Sequence, residues 1–250
     1  MRYVLGGLSF LWKLYIAVVF FFWAIVLYPF FLSIVSFKKT KKYSFKIFIF
    51  WSYAFRICCF YPIRKRNHAA SLPEGPYIIV ANHTSYLDIF FMYSILPKHP
   101  FMFLGKSEIL SYPLVKTYFR LMNVPVDRSN ASKSTRAYLG AIKAYEAGYS
   151  LAIFPEATFP TENLPQMLPF KAGAFKLAKQ LQAPILPVTY MNNYKLFSEP
   201  TIWLGPARPG LAVVHIHPLI SREDVQALSE KELLETCFAT IAKPLKIKTP

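Results

Sequence analysis

The chain has 250 residues, 54% of them hydrophobic and 17% charged, which excludes a disordered polypeptide and fits one catalytic-sized domain plus an appendage rather than two full domains. Three cysteines (Cys58, Cys59 and Cys237) exclude a disulfide framework, and no Cys/His spacing suggests a structural zinc. The formal net charge of +16 is unevenly spread: residues 1–73 carry eleven Lys and Arg with no acid, and the remainder carries eighteen bases against thirteen acids. Twenty-one of the 43 aromatic residues lie at or before Tyr61, so the two regions are built for different solvents.

Residues 14–37 form a run of 24 without a charge, and about 20 apolar residues cross a hydrocarbon core. Lys38, Lys39, Lys41, Lys42 and Lys46 follow. A second, shorter apolar run over residues 47–63 contains Arg56 and ends in Arg64, Lys65 and Arg66. A cleaved signal peptide does not fit, because its apolar core of about 7–15 residues would be followed by small residues rather than by SFKKTKK. Trp12, Trp23 and Trp51 among cationic flanks have the character of interfacial anchors. Residues 1–63 are therefore expected to be a membrane-associated helical hairpin, and residues 64–250 a catalytic domain.

If both runs span, the domain lies outside. If the second lies in the interface, the domain stays cytoplasmic, which the positive-inside tendency of KKTKK, Arg56 and the basic exit at residues 64–66 favour. The charges flank a lipid-length apolar run and do not line a polar groove, so nucleic acid is not an expected partner.

Beyond Pro73-Glu74-Gly75, the pattern is that of one α/β domain. PYIIVANH (residues 76–83) reads as a short buried strand, Thr84 or Ser85 caps a helix to about Leu96, and FMFLG (101–105) is a second strand. Residues 123–127 are extended, with Pro125 arguing for an edge or a bend. Residues 132–147 have helical spacing and stop at Gly148. A strand over 150–154, a helix over 172–181 and a strand over 184–190 follow, with further strands expected at 201–204 and 211–217. Ser229 with Glu232 makes a capping box that opens a last helix to about Lys243. This alternation predicts an α/β fold with a largely parallel sheet flanked by helices.

The chemistry gathers where strands end. Asn82-His83-Thr84-Ser85-Tyr86-Leu87-Asp88 places a histidine at a strand end and an aspartate one turn later. A carboxylate that fixes one imidazole nitrogen leaves the other free to take a proton. No serine or cysteine accompanies the pair in a nucleophile elbow, so the activated hydroxyl belongs to a substrate. Phe154-Pro155-Glu156-Ala157-Thr158 follows another buried strand, with Lys171 beyond it, and such sheet edges bind ligands. Asp127-Arg128 follows VPV, and arginine suits bidentate phosphate contacts. His215 and His217 lack a neighbouring Cys or carboxylate and read as structural or surface residues, so no metal is expected.

Over residues 63–190 these segments resemble the glycerolipid acyltransferase family, whose best-known members acylate lysophosphatidic acid. NHTSYLD matches the histidine–four residues–aspartate box. KSEI from Lys106, with Pro113, matches the approach to the second block, and VDR at Arg128 its end. FPEAT matches FPEGT, and APILPVTY (183–190) the fourth block. The resemblance implies His83 as catalytic base and Asp88 as its partner, with Arg128, Glu156 and Thr158 binding the phosphoglycerol end of the acceptor. Lys106, the matching lysine ahead of the second block, is included as a substrate contact, and Lys171 is added as a phosphate contact on its charge and position. Ala157 stands where the family has glycine, which would strain a backbone needing a positive φ, and Met122 and Pro125 depart from the second block.

The implied reaction moves a fatty acyl group from acyl-CoA or acyl carrier protein to the free hydroxyl of lysophosphatidic acid, without cofactor. The phospholipid membrane, the lysophospholipid acceptor and the acyl thioester are the expected partners. A lyso-aminolipid or glycerol 3-phosphate acceptor, or a lipid-binding scaffold without catalysis, are the alternatives.

Overall fold

The computed structural model describes residues 2–37, 39–40, 43–67, 72–127, 131–160, 163–199 and 202–246. Helix α1 (Arg2–Ser36) is apolar on every side, and from Gly6 onward it is long and apolar enough to cross a membrane. Only one stripe of it packs on the protein: Ile16, Val19, Ala24, Leu27 and Phe31 are buried at helical spacing, while Leu11, Leu14, Val18, Phe22, Ile25 and Phe30 are exposed. An apolar helix with half its surface uncovered has lipid as its natural solvent. Helix α2 (Ser44–Cys58) lies against α1 and buries Phe45, Phe48, Trp51 and Phe55. Arg56 within it turns towards protein, donating to the Ser94 hydroxyl at 2.9 Å and the Tyr61 carbonyl at 3.2 Å.

The basic segment after α2, expected as an exit from the membrane, forms a strand, β1 (Ile63–Asn67). It sits at the sheet edge, paired only to β7 (Ala212–Ile216). An edge strand keeps one row of backbone groups in solvent and tolerates charged side chains, which is why IRKRN carries no strand signal in its alternation.

The other strands are β2 (Ile78–Ala81), β3 (Phe101–Lys106), β4 (Val124–Val126), β5 (Ser150–Ile153) and β6 (Ile185–Tyr190), and the seven are ordered β1-β7-β6-β2-β5-β3-β4. Five run parallel, and β7 meets β6 antiparallel, so β1 and β7 oppose the rest. The largely parallel sheet is thus observed. Central β2 is buried on both faces: Ile78 and Val80 point into one apolar layer, Ile79 and Ala81 into the other. Such two-sided burial gives a continuous apolar run rather than alternation.

One layer holds α1, α2, α3 (Tyr86–Ile95) and α4 (Val115–Met122), and the other α5 (Ala131–Glu146), α6 (Gly173–Leu181), α8 (Arg222–Ala227) and α9 (Glu230–Leu245); the short α7 (Asn193–Leu196) follows β6. The capping box at Ser229 is present, with its N–H donated to Glu232 at 2.8 Å. β4 is an edge strand, one of the two arrangements, edge or bend, that Pro125 argues for. The strand expected over 201–204 is not formed. Residues 202–204 make a turn closed by Gly205 N–H to the Ile202 carbonyl at 2.8 Å, because Gly205-Pro206 ends the apolar stretch before it can pair; Thr201 lies outside the described residues.

Candidate active site

The C-terminal ends of β2, β3, β5 and β6 lie along one edge of the sheet. β2 stops at Ala81, but Asn82 extends its pairing to β6 through a side chain: Nδ2 donates to the Tyr190 carbonyl at 3.0 Å and Oδ1 accepts the Tyr190 N–H at 2.8 Å. The next residue, His83, is therefore launched from a fixed point. Ser85 then caps α3, its hydroxyl accepting the Leu87 N–H at 3.2 Å and donating to the Phe197 carbonyl at 2.7 Å.

Asp88, in the first turn of α3, is fully buried. Its Oδ2 accepts the N–H groups of Thr84 at 2.7 Å and Ser85 at 2.9 Å and meets His83 Nδ1 at 3.1 Å. Its Oδ1 accepts from Asn193 Nδ2 at 2.7 Å. Four donors at the N-terminal end of a helix fix both oxygens of this buried carboxylate. With Nδ1 engaged, Nε2 is left without a protein partner among the described residues.

The imidazole lies flat on Phe154, with ring centroids 3.8 Å apart and planes 11° apart, and Phe159 closes the other side at 4.1 Å. These two rings restrict the plane the imidazole can adopt. Glu156 lies beneath, 2% exposed. Its Oε1 accepts the His83 backbone N–H at 2.8 Å and its Oε2 the Leu168 N–H at 2.7 Å. Burial pushes the Glu156 carboxyl up to about 7, with the Asp88 charge adding to the rise against the pull of the two N–H bonds.

Ala157 has φ 66°, the left-handed conformation that glycine adopts freely. The sharp turn holds although its residue has a Cβ.

His83, Asp88 and Glu156 are brought together. Lys106, at the end of β3, and Thr158 and Lys171, between β5 and α6, are exposed on the same sheet edge, and among the described residues none is hydrogen-bonded to the His–Asp pair. Arg128 lies outside the described residues. His217, just past the end of β7, is buried and pairs through Nε2 with the Thr189 hydroxyl at 2.8 Å. Asn193 was not singled out in the sequence. The signal available was the polar pair Asn192-Asn193 directly after the buried strand β6, on the sheet edge that carries His83.

The acyltransferase family model matches residues 62–191. The chain belongs to the acyltransferase family. The match runs from the residue before β1 to the residue after β6, and so contains the histidine, the aspartate and the glutamate described above. Among acyltransferases, the 1-acyl-sn-glycerol-3-phosphate acyltransferase of Borreliella burgdorferi is 35% identical over 158 residues, covering 62% of this chain and 59% of its own. That of Saccharomyces cerevisiae is 33% identical over 158 residues, covering 62% and 50%. The matched part of the chain thus spans between half and three fifths of these relatives. The crystal structure of the 1-acyl-sn-glycerophosphate (LPA) acyltransferase PlsC from Thermotoga maritima shares the fold, with a TM-score of 0.76, 24% identity, and coverage of 98% of this chain and 97% of that one.

Proposed function

We propose that the protein transfers a fatty acyl group from an acyl thioester, on coenzyme A or acyl carrier protein, to the free hydroxyl of lysophosphatidic acid, forming phosphatidic acid. The observation that carries this reading is the buried His83–Asp88 pair, with Nδ1 held at 3.1 Å and Nε2 left for a substrate proton. The names of the relatives support the acceptor.

In the proposed step, Nε2 of His83 removes the hydroxyl proton as the oxygen attacks the thioester carbonyl. Asp88 holds the tautomer and stabilises the imidazolium. The tetrahedral oxyanion collapses, the C–S bond breaks, and the thiolate leaves with the proton returned by His83. No covalent acyl-enzyme is needed.

Arg128, Lys106, Thr158 and Lys171 are proposed contacts for the anionic end of the acceptor. Glu156 has both oxygens committed to backbone N–H groups, which supports a positioning role over direct contact with the acceptor. Residues 1–63 would anchor the enzyme and residues 64–250 perform the chemistry, with the catalytic domain on the cytoplasmic side, where acyl thioesters are made.

The test is acyl transfer by purified wild type and His83→Ala in detergent. The acceptors are lysophosphatidic acid, glycerol 3-phosphate and a lyso-aminolipid, each with both thioesters. Transfer to lysophosphatidic acid that falls by about 10²–10⁴ in the variant is expected. Transfer confined to another acceptor would replace the substrate and keep the mechanism. No transfer by folded wild type would leave a lipid-binding scaffold.

A further inference from the structure

The chain after α7 makes a loop closed at its base by Ser198 N–H to the Pro206 carbonyl at 2.8 Å and by the pairing of Phe197 with Ala207. At its tip Ile202, Trp203 and Leu204 are 43%, 68% and 60% exposed. Three adjacent large apolar side chains in water would be a liability. They are also not free to swing, because the loop is fastened to α1 at three places. Leu204 lies 3.3 Å from where a Cβ on Gly6 would stand, Trp203 stacks on Phe10 with centroids 5.9 Å apart, and Lys13 Nζ donates to the Ile202 carbonyl at 2.6 Å and the Ser198 hydroxyl at 2.9 Å. Residues 6, 10 and 13 form one stripe of α1.

We propose that residues 202–204 form a further membrane contact, inserted at the lipid interface beside α1 and continuous with its exposed apolar face. Leu14, next to this stripe, is more than half exposed, as are Leu11 and Leu8 further round the helix, so the tip extends an apolar surface already suited to lipid. Tryptophan at such a rim is favoured by its apolar ring and polar N–H. A lysine within an apolar helix is costly in a bilayer unless its charge is satisfied. Here carbonyl and hydroxyl oxygens of the loop satisfy it, and the same bonds set the height of the tip against the helix.

The base of the loop reaches the chemistry, since the Phe197 carbonyl accepts the hydroxyl of Ser85, the cap of the helix that carries Asp88. Lipid contact at the tip therefore fixes how the catalytic edge faces the headgroups. The proposal rests on the membrane association of α1, and its test separates the two.

Single cysteines at 202, 203, 11 and 231 are introduced into the full chain carrying Cys58→Ser, labelled with an environment-sensitive fluorophore, and reconstituted in phosphatidylethanolamine–phosphatidylglycerol vesicles. Labels at Ile202→Cys and Trp203→Cys should lose emission roughly twofold or more with a nitroxide on the lipid acyl chain and resist aqueous iodide, as expected of interfacial burial. Leu11→Cys should behave alike. Lys231→Cys, on the opposite layer and 85% exposed, should show the reverse. Iodide access at 202 and 203 with protection at 11 overturns the proposal and leaves α1 in the membrane. Iodide access at 11 as well removes both.

Discussion

Glu156 accepts the backbone N–H of His83 at 2.8 Å, across 73 positions of sequence. The third block of the sequence thereby sets the height of the first. Replacing Glu156 by glutamine turns one acceptor into a donor facing an N–H, which costs about 1–3 kcal/mol at a buried site. The expected kinetic result is a fall in kcat of about tenfold or more with KM for the acceptor little changed, since the base is displaced and the headgroup is not touched. A rise in KM alone would return Glu156 to the acceptor site.

The same carboxyl makes stability depend on pH. Its value in the fold is about 7 against an ordinary 4.5, the native state holding the proton because burial disfavours the charge. Between these two values the native state binds more protons than the unfolded chain, so stability falls as pH rises. This contribution is complete below 4.5 and is lost as pH passes through about 7. The difference in Tm between wild type and Glu156→Gln should therefore narrow on going from pH 4.5 to pH 8. A constant difference across that range would show that Glu156 is ionised throughout.

Asp88 serves both catalysis and folding. Its two oxygens accept four donors, two of them backbone N–H groups at the start of α3. Asp88→Asn should reduce kcat by about 10²–10⁴ and also lower Tm, because an amide cannot accept from donors on both sides. His83→Ala should match the loss of activity with far less loss of Tm, as the imidazole makes only one of the four bonds. Equal destabilisation by the two would mean that stacking on Phe154 and Phe159 carries more of the fold than these bonds do.

How much of this was legible in the chain depends on the distance over which each residue acts. The His83–Asp88 pair spans five positions, and a strand end followed by a helix cap puts both on one turn, so local rules suffice. The parallel sheet was readable because strands buried on two faces are apolar runs, as Ile78 to Ala81 is. β1 was not readable as a strand, since an edge strand of Arg and Lys obeys no alternation. Residues 202–204 look like a strand by composition but are cut to a turn by Gly205-Pro206, and Lys13, nearly two hundred positions earlier, holds the Ile202 carbonyl. Glu156 stands out by its block, but its two N–H partners, at 83 and 168, converge on it only in the fold.

Asn193 is the least legible member of the site. It donates to Asp88 Oδ1 at 2.7 Å from α7, 105 positions away. Asn193→Ala would leave that oxygen buried without a donor and free the carboxylate to rotate. A charge-assisted bond of this kind is worth about 1.5–3 kcal/mol, so a fall in kcat of roughly tenfold is expected, with acceptor KM unchanged. Full activity in the variant would show that the three donors on Oδ2 orient Asp88 unaided.

Ala157 supplies a prediction of the opposite sign. Its φ of 66° is one that a Cβ opposes by about 1–2 kcal/mol, and glycine at this position would lose part of that gain through the greater freedom of its unfolded chain. Ala157→Gly should therefore raise stability by about 1 kcal/mol, or about 2–4 °C in Tm for a chain of this size. Activity should be retained, because Glu156 and its two N–H bonds stay in place. A lower Tm would mean that the Ala157 methyl, which is half-buried, packs well enough to outweigh the strain of its turn, and the alanine would then be a stabilising substitution for the family's glycine rather than a tolerated one.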